Sequence, residues 1–204
     1  SLACVYYKQG RYQEAEERYQ RALAIRELVW GAEHSQVALV LNNLALLYKD
    51  WGRYQQAETL YQRVIMTYEL TVGPDHPDTA TALNNLALVY DELGKSSQAT
   101  SLYQRAFSIE ERTLGTKHPA MALSMNILAG RYEDQGDYQQ AEVLYQRTLV
   151  LQEQMLGPEH PDRAQSLNNL AGLYEIMGKY EDAQELYGRA LHIYEKVCGV
   201  EHPE

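Results

Sequence analysis

Apolar residues recur along the chain with the spacing of an α-helix. Leu41, Leu44, Ala45 and Tyr48 lie three or four residues apart, which places them on one face of a helix. Gly52 follows them, and glycine suits the left-handed conformation that closes a helix. The pattern therefore predicts a first helix of about 16 residues, a tight turn at the glycine and a second helix over about residues 53–72. We call these two elements helix A and helix B.

The whole pattern recurs every 42 residues. The turn glycines are Gly10, Gly52, Gly94, Gly136 and Gly178, and the glycines that should end helix B are Gly31, Gly73, Gly115, Gly157 and Gly199. A fixed period of this length indicates a repeat protein built from helical hairpins. It divides residues 1–204 into a partial first repeat (1–34) and four further repeats (35–76, 77–118, 119–160 and 161–202). We expect one solenoid domain, cut from a longer array.

A histidine precedes helix A in each repeat, and in later repeats a proline follows it. These histidines are His34, His76, His118, His160 and His202. Proline is favoured at the first helical position because its missing N–H is not needed there. Successive copies belong to different repeats, whereas a shared metal needs ligands at about 2 Å. The pattern therefore predicts helix-start residues, and we expect no metal site and no cofactor.

The spacing Leu41-x2-Leu44-Ala45-x2-Tyr48, followed by Ala57-x3-Tyr61, resembles the tetratricopeptide repeat (TPR) signature. The longer period, with Leu-Asn-Asn-Leu-Ala in helix A and Gly-Pro-Asp-His-Pro between repeats, resembles the kinesin light chain subclass. The resemblance implies an all-α, right-handed superhelical solenoid of antiparallel helix pairs, used as a cargo-adaptor groove in which asparagines hold an extended peptide. Near-identical, Gln-rich repeats look more like those of bacterial multidomain proteins. We therefore favour a scaffold or sensor arm over a motor subunit.

Helix A has a second face that its own hairpin cannot cover. With Ala38 as position 1, positions 4, 7, 8 and 11 should pack on helix B, and positions 2, 6, 9 and 13 lie opposite, with position 5 beside them. We call this second surface the helix-A face, and stacked repeats should join it into a concave groove. The predicted peptide-binding residues are Asn42, Asn43, Leu46, Asn84, Asn85, Leu88, Asn126, Ile127, Asn168 and Asn169.

The asparagines are central to this prediction because position 5 is Asn in all four later repeats. A side-chain amide has donors and an acceptor, so a row of amides can pair with the backbone of an extended peptide. Leucine and isoleucine beside them would add apolar contact. The alternative is structural, because an asparagine in helix A can also bridge to a neighbouring helix.

Charge narrows the class of partner. The net charge is −10, from 18 Lys and Arg against 28 Asp and Glu, which argues against nucleic acid and against an anionic membrane, since phosphate binding needs clustered cations. Acidic residues gather at positions 12 and 13 of the later repeats, namely Asp91, Glu92, Glu133, Asp134 and Glu175, where the second repeat has Lys49. They favour a protein or peptide partner with basic and apolar residues, or else form a solvated acidic surface.

Other functional classes lack support in the sequence. No nucleophile elbow, phosphate loop or paired-carboxylate motif occurs, so we expect no enzyme. Without an apolar run of about 18 residues or a leader, the chain should be cytoplasmic, and Cys4 and Cys198, at opposite ends, should be free thiols. The alternative function is a structural spacer, sensor arm or self-associating arm, in which truncated repeat ends stack on one another.

Overall fold

The computed structural model describes residues 2–198, and within this range the chain folds into ten α-helices. They are α1 (Leu2–Lys8), α2 (Tyr12–Trp30), α3 (Ser35–Asp50), α4 (Tyr54–Thr71), α5 (Pro77–Glu92), α6 (Ser96–Leu114), α7 (Ala120–Asp134), α8 (Tyr138–Leu156), α9 (Pro161–Ile176) and α10 (Tyr180–Cys198). Odd-numbered helices are helix A and even-numbered helices are helix B. The all-α prediction is confirmed. The predicted roles of Gly199, His202 and the Cys198 thiol lie outside the described part of the chain.

The chain divides into two compact units, one ending at Thr113 and one beginning at Leu114. Unit 1 carries α1 to α5 and nearly all of α6, and unit 2 carries α7 to α10. In each unit, helix A packs on the helix B that follows it and on the helix B before it, as α3 does with α4 and α2 and as α9 does with α10 and α8. The expectation of a single domain over residues 1–204 stays a prediction.

Histidines start the A helices, as the sequence predicts. The Nδ1 atoms of His34, His76 and His160 accept the backbone N–H two residues further on, at 3.1, 3.2 and 3.2 Å. Pro77 and Pro161 are the first residues of their helices. After His118 the helix begins one residue later, at Ala120, with Pro119 as its N-cap residue. The cap requires an Nδ1 without a proton, because only that form can accept a hydrogen bond.

Glycine ends helix A at the predicted turn. Gly52 has φ +75°, and the N–H of Arg53 donates to the carbonyl of Tyr48 at 2.8 Å while the N–H of Gly52 donates to Lys49 at 3.0 Å. These two bonds satisfy carbonyls that the helix itself leaves unpaired. A side chain would strain this left-handed backbone, which explains why a glycine occurs here in every repeat.

Positions 4, 7 and 8 of the predicted stripe are buried in α3, α5, α7 and α9, whereas Tyr132 and Tyr174 at position 11 are half-buried. Leu41, Leu44, Ala45 and Tyr48 of α3 are buried, and Tyr61 of α4 is fully covered. Removing a leucine of this kind from water contributes roughly 1.5–3 kcal/mol. None of the described helices is long and apolar enough to cross a membrane.

Neighbouring hairpins are joined by polar pairs that are not predicted from the sequence. Glu16 of α2 accepts the Tyr48 hydroxyl at 2.6 Å and lies 3.5 Å from Arg53, and Glu142 of α8 accepts Tyr174 at 2.8 Å and pairs with Lys179 at 3.3 Å. Each pair joins a glutamate of helix B to the next repeat. Exposed ion pairs contribute only about 0–1 kcal/mol, so we assign these pairs mainly to the alignment of consecutive hairpins.

Candidate protein interaction surface

In unit 1 the helix-A face is formed by α3 and α5. The Nδ2 of Asn85 donates to Oδ1 of Asn42 at 3.3 Å, so the two helices are close enough for their amides to meet. Asn43 is exposed, Leu46 is half-buried and Leu88 is 40% exposed. The predicted residues of this unit therefore form one surface that mixes amides with leucines.

In unit 2 the same face is formed by α7 and α9. The Nδ2 of Asn126 donates to Oγ of Ser166 at 2.8 Å, and the Oδ1 of Asn169 accepts from Gln165 at 3.0 Å. Ile127, Asn168 and Asn169 are half-buried. Asn126 thus links the two A helices, whereas the bond of Asn169 stays within α9.

Three of the four asparagines at position 5 have hydrogen-bond partners inside the protein. Asn84 donates to Oε1 of Glu110 on helix B of its own repeat at 3.0 Å, Asn42 accepts from the next repeat, and Asn126 donates to the next repeat. All three are half-buried, so they are neither sealed in the core nor fully open. The structural alternative therefore accounts for these bonds, and peptide contact by the same amides stays a prediction.

Position 9 distinguishes the two units. It is Leu46 and Leu88 in unit 1 but Gly130 and Gly172 in unit 2. A Cβ added to Gly130 would lie 3.6 Å from the Tyr145 hydroxyl, and one added to Gly172 would lie 3.7 Å from the Tyr187 hydroxyl. Both glycines are helical, without positive φ. Their effect is therefore to leave space beside a tyrosine hydroxyl that a leucine would fill.

Position 12 supplies a partner for that tyrosine. The hydroxyls of Tyr103, Tyr145 and Tyr187 lie 3.1, 3.2 and 3.2 Å from carboxylate oxygens of Asp91, Glu133 and Glu175. From the sequence alone these acids are expected to form a charged surface, and their pairing with tyrosines is not predicted. The constant separation of 12 residues between acid and tyrosine was the available signal.

The second repeat lacks this pair. Lys49 occupies position 12 there, and the buried hydroxyl of Tyr61 has no hydrogen-bond partner within residues 2–198. Burial raises the pKa of the Tyr61 hydroxyl and also raises the pKa of Glu133, although the hydrogen bond from Tyr145 opposes the latter shift. Both effects follow from the cost of placing charge in a poorly solvated site.

The described part of the chain offers no group of three or more His, Cys, Asp or Glu side chains that could hold a metal ion.

The thiol of Cys4, at position 9 of the partial first repeat, contacts the Tyr19 hydroxyl at 3.2 Å. Position 9 therefore lies beside the helix-B tyrosine in this repeat as well. The surface thus consists of amide, apolar, carboxylate and phenol groups, which suit recognition of a polypeptide.

Comparison with known proteins agrees with this geometry. The sequence model of the family described as "Tetratricopeptide repeat" matches residues 1–69, 52–112, 98–154 and 121–196. No curated protein sequence gives a significant match.

Solved structures resemble the chain over nearly all of its length. One such structure is of a Podosopora anserina protein assigned as a kinesin light chain, which has TPR-like repeats that are nearly identical to one another. Its sequence is 30% identical to this chain, with a TM-score of 0.84 over 96% of this chain and 93% of that one. BtubC (BKLC) from P. vanneervenii is 27% identical, with a TM-score of 0.87 over 100% of this chain and 80% of that one. MamA, at 16% identity and a TM-score of 0.72 over 98% of both chains, shares the fold.

Proposed function

Because this chain belongs to the tetratricopeptide repeat family, we propose that it binds an extended segment of a partner protein on its helix-A face. Repeats of this family indicate a scaffold for protein–protein interaction, and its members are typically not catalysts. We infer that this chain likewise binds without catalysing a reaction.

The observation that carries the proposal is the contrast between the two sides of helix A. Positions 4, 7 and 8 are buried in α3, α5, α7 and α9, whereas positions 2, 6, 9 and 13 are exposed or half-buried in the same four helices. Hairpin packing therefore leaves one side of each A helix available. Exposed apolar residues such as Leu39, Leu88 and Leu123 lie on that side, and apolar residues grouped on a surface mark interaction sites.

The amides give this surface a way to hold a backbone. Asn43 in unit 1 and Asn169 in unit 2 occupy position 6, and each side-chain amide can both donate and accept hydrogen bonds. Asn42, Asn84 and Asn126 at position 5 support them, since their bonds to other helices help to hold the A helices in place. Carboxylates such as Glu92 and Asp134 favour a partner with basic as well as apolar side chains.

A displayed peptide library selected against the whole chain tests the proposal. The tightest peptide would be labelled, and its Kd measured by fluorescence anisotropy. We expect the double variant Asn43→Ala, Leu88→Ala to weaken binding at least tenfold, about 1.4 kcal/mol, through loss of an amide contact and an apolar contact.

The matched control is the double variant Gln56→Ala, Gln98→Ala, which changes exposed residues at equivalent positions of α4 and α6. It should bind the peptide as the unmodified chain does, and both variants should keep its thermal melt. If the helix-A variant binds with unchanged affinity while remaining folded, the proposed surface is wrong.

A second candidate function, self-association, is favoured by large apolar side chains on the B helices of unit 1. Leu28 of α2 is 88% exposed, and Met66 and Leu70 of α4 are also exposed. Light scattering over a range of concentrations would show a rising mass that Leu70→Glu lowers. A constant monomer mass would exclude this candidate.

A further inference from the structure

Unit 2 contains a cavity of about 390 Å³ between α7, the end of α8 and the start of α9. Leu123, Met155 and Leu156 supply apolar walls, and Asn126 and Gln152 supply amides. This volume lies in the range of small ligand sites, about 300–1,000 Å³, which combine apolar walls with a few polar groups.

Hydrogen bonds fix the orientation of both amides. The Nε2 of Gln152 donates to the Asp162 carbonyl at 3.2 Å. Oγ of Ser166 donates to the same carbonyl at 3.3 Å and accepts from Nδ2 of Asn126 at 2.8 Å. Turning either amide over would place an oxygen against an acceptor or abandon these bonds. The amide nitrogens are therefore committed to the protein.

The amide oxygens have no such partner. Gln152 is only 4% exposed, and its Oε1, like Oδ1 of Asn126, is buried without a hydrogen-bond partner in the described part of the chain. A buried acceptor without a donor is costly, because it has lost its bond to water. Two such acceptors among the residues that line one cavity call for donors from a bound molecule.

In the three preceding repeats, the residue equivalent to Gln152 leaves no buried acceptor unpaired among the described residues. Arg26 donates to the Gln36 carbonyl at 2.6 Å, Tyr68 fills the space with a buried ring, and Glu110 accepts from Asn84 at 3.0 Å. Repeat packing therefore does not require an unpaired acceptor here. The feature belongs to the repeat formed by α7 and α8.

We propose that this cavity receives a bulky apolar side chain of a partner peptide, whose adjacent backbone N–H donates to Oε1 of Gln152. The inference rests on the proposed function and adds the chemistry of one contact. Both oxygens are covered in this structure, so the lining must shift, and Met155 is a flexible side chain that can move aside. Asp162 is among the residues that line the cavity, and its negative charge disfavours an acidic peptide.

The probe is the capped peptide acetyl-Gly-Phe-Gly-Lys-amide, added to the full chain. Binding is followed by NMR of the methyl groups of Leu123, Met155 and Leu156. We expect saturable shifts of these methyl signals. A peptide methylated on the Phe backbone nitrogen and a peptide with Ala in place of Phe should each bind at least tenfold more weakly, because one lacks the donor and the other lacks the ring.

Two variants separate the polar and apolar contributions. Gln152→Met keeps the side-chain length but removes the acceptor, and should weaken the Phe probe about tenfold while abolishing the preference over the N-methylated probe. Ala122→Phe, which adds a ring at the cavity wall, should remove binding. Glu110→Gln at the equivalent position of unit 1 is the matched control and should leave probe affinity unchanged.

A thermal melt of each variant reports folding, and Ala122→Phe keeps the test valid if Gln152→Met does not fold. The inference is overturned if a folded Gln152→Met chain retains the preference for the unmethylated probe, or if the probe leaves the three methyl signals unmoved. If the library peptide still binds the helix-A face in that case, the proposed function stands without this contact. If the probe binds as expected but the helix-A variant does not weaken binding of the library peptide, the cavity is supported as a binding site and the proposed helix-A face is wrong.

Discussion

The helix-A faces of the two units have the same backbone but different chemistry. At position 9, unit 1 has Leu46 and Leu88 where unit 2 has Gly130 and Gly172. A leucine gives an apolar surface, whereas a glycine leaves space beside the hydroxyl of Tyr145 or Tyr187. The difference teaches that position 9 can change without disturbing the hairpin, because it lies outside the buried stripe formed by positions 4, 7 and 8.

The helix-B tyrosine that lies beside position 9 also differs between repeats, because its hydroxyl has a hydrogen-bond partner in some repeats and not in others. Tyr145 in unit 2 has a carboxylate partner in Glu133, whereas Tyr61 in unit 1 is buried opposite a lysine position and has no hydrogen-bond partner in the described chain. The helical hairpin forms in both cases. Burial of the ring therefore suffices to place the tyrosine, and the hydrogen bond adds stability to an arrangement already determined by packing.

The largest expected effect tests whether the two units share one kind of core. Leu83→Ala in unit 1 and Met125→Ala in unit 2 remove fully buried side chains at position 4. Each should lower the free energy of unfolding by about 2–5 kcal/mol, through lost burial and a residual cavity. Urea denaturation followed by circular dichroism measures both, and a loss under about 1 kcal/mol in either unit would show that its core repacks.

Removing the hydroxyl should change stability in opposite directions at Tyr145 of unit 2 and Tyr61 of unit 1. Tyr145→Phe loses a hydrogen bond to Glu133 and should cost about 0.5–1.5 kcal/mol. Tyr61→Phe removes an unpaired buried hydroxyl and should be neutral or stabilising by up to about 1 kcal/mol. Denaturation midpoints of the two variants give the comparison, and an equal loss in both would mean that Tyr61 has a donor or acceptor in solution.

Filling the glycine of position 9 should stabilise unit 2 slightly. Gly130→Ala places a methyl group at an ordinary contact distance, 3.6 Å from the Tyr145 hydroxyl, and should gain about 0.5–1 kcal/mol because alanine favours the helix. Gly136→Ala is the matched control, and should destabilise because Gly136 has φ +78°. Thermal melts report both, and a loss at Gly130 would reveal crowding at this site.

The smallest expected effect concerns pH. Burial raises the pKa of Glu133 in the folded chain. The Glu133 carboxylate therefore takes up a proton more readily in the folded state than in the unfolded state. Its contribution therefore destabilises the fold at neutral pH and is relieved as pH falls through the raised pKa, towards the ordinary glutamate pKa of about 4.3. Glu133→Gln should remove that part of the pH dependence in stability measured from pH 4 to pH 8, with the exposed Glu175→Gln as control.

Local signals allowed most of the fold to be predicted. The pattern predicts helix B over about residues 53–72, and the helix spans Tyr54–Thr71, because a turn glycine and an apolar stripe mark its limits. His76 caps its helix as expected, since the cap joins residues two apart. By contrast, the bond from Asn85 to Asn42 and the bond from Asn126 to Ser166 join residues 40 or more apart, and periodicity alone does not reveal such partners.

By itself, the sequence determined the repeat, the helices, their caps and the side of helix A that packs on helix B, because each depends on spacing within one hairpin. Tertiary structure decided which asparagines are hydrogen-bonded to other helices, that the buried Tyr61 hydroxyl has no hydrogen-bond partner among the described residues, and where amides line a cavity. These outcomes depend on how one hairpin meets the next. An identical residue, such as Asn at position 5, finds glutamate in one repeat and serine in another, because its partner is supplied by a different helix.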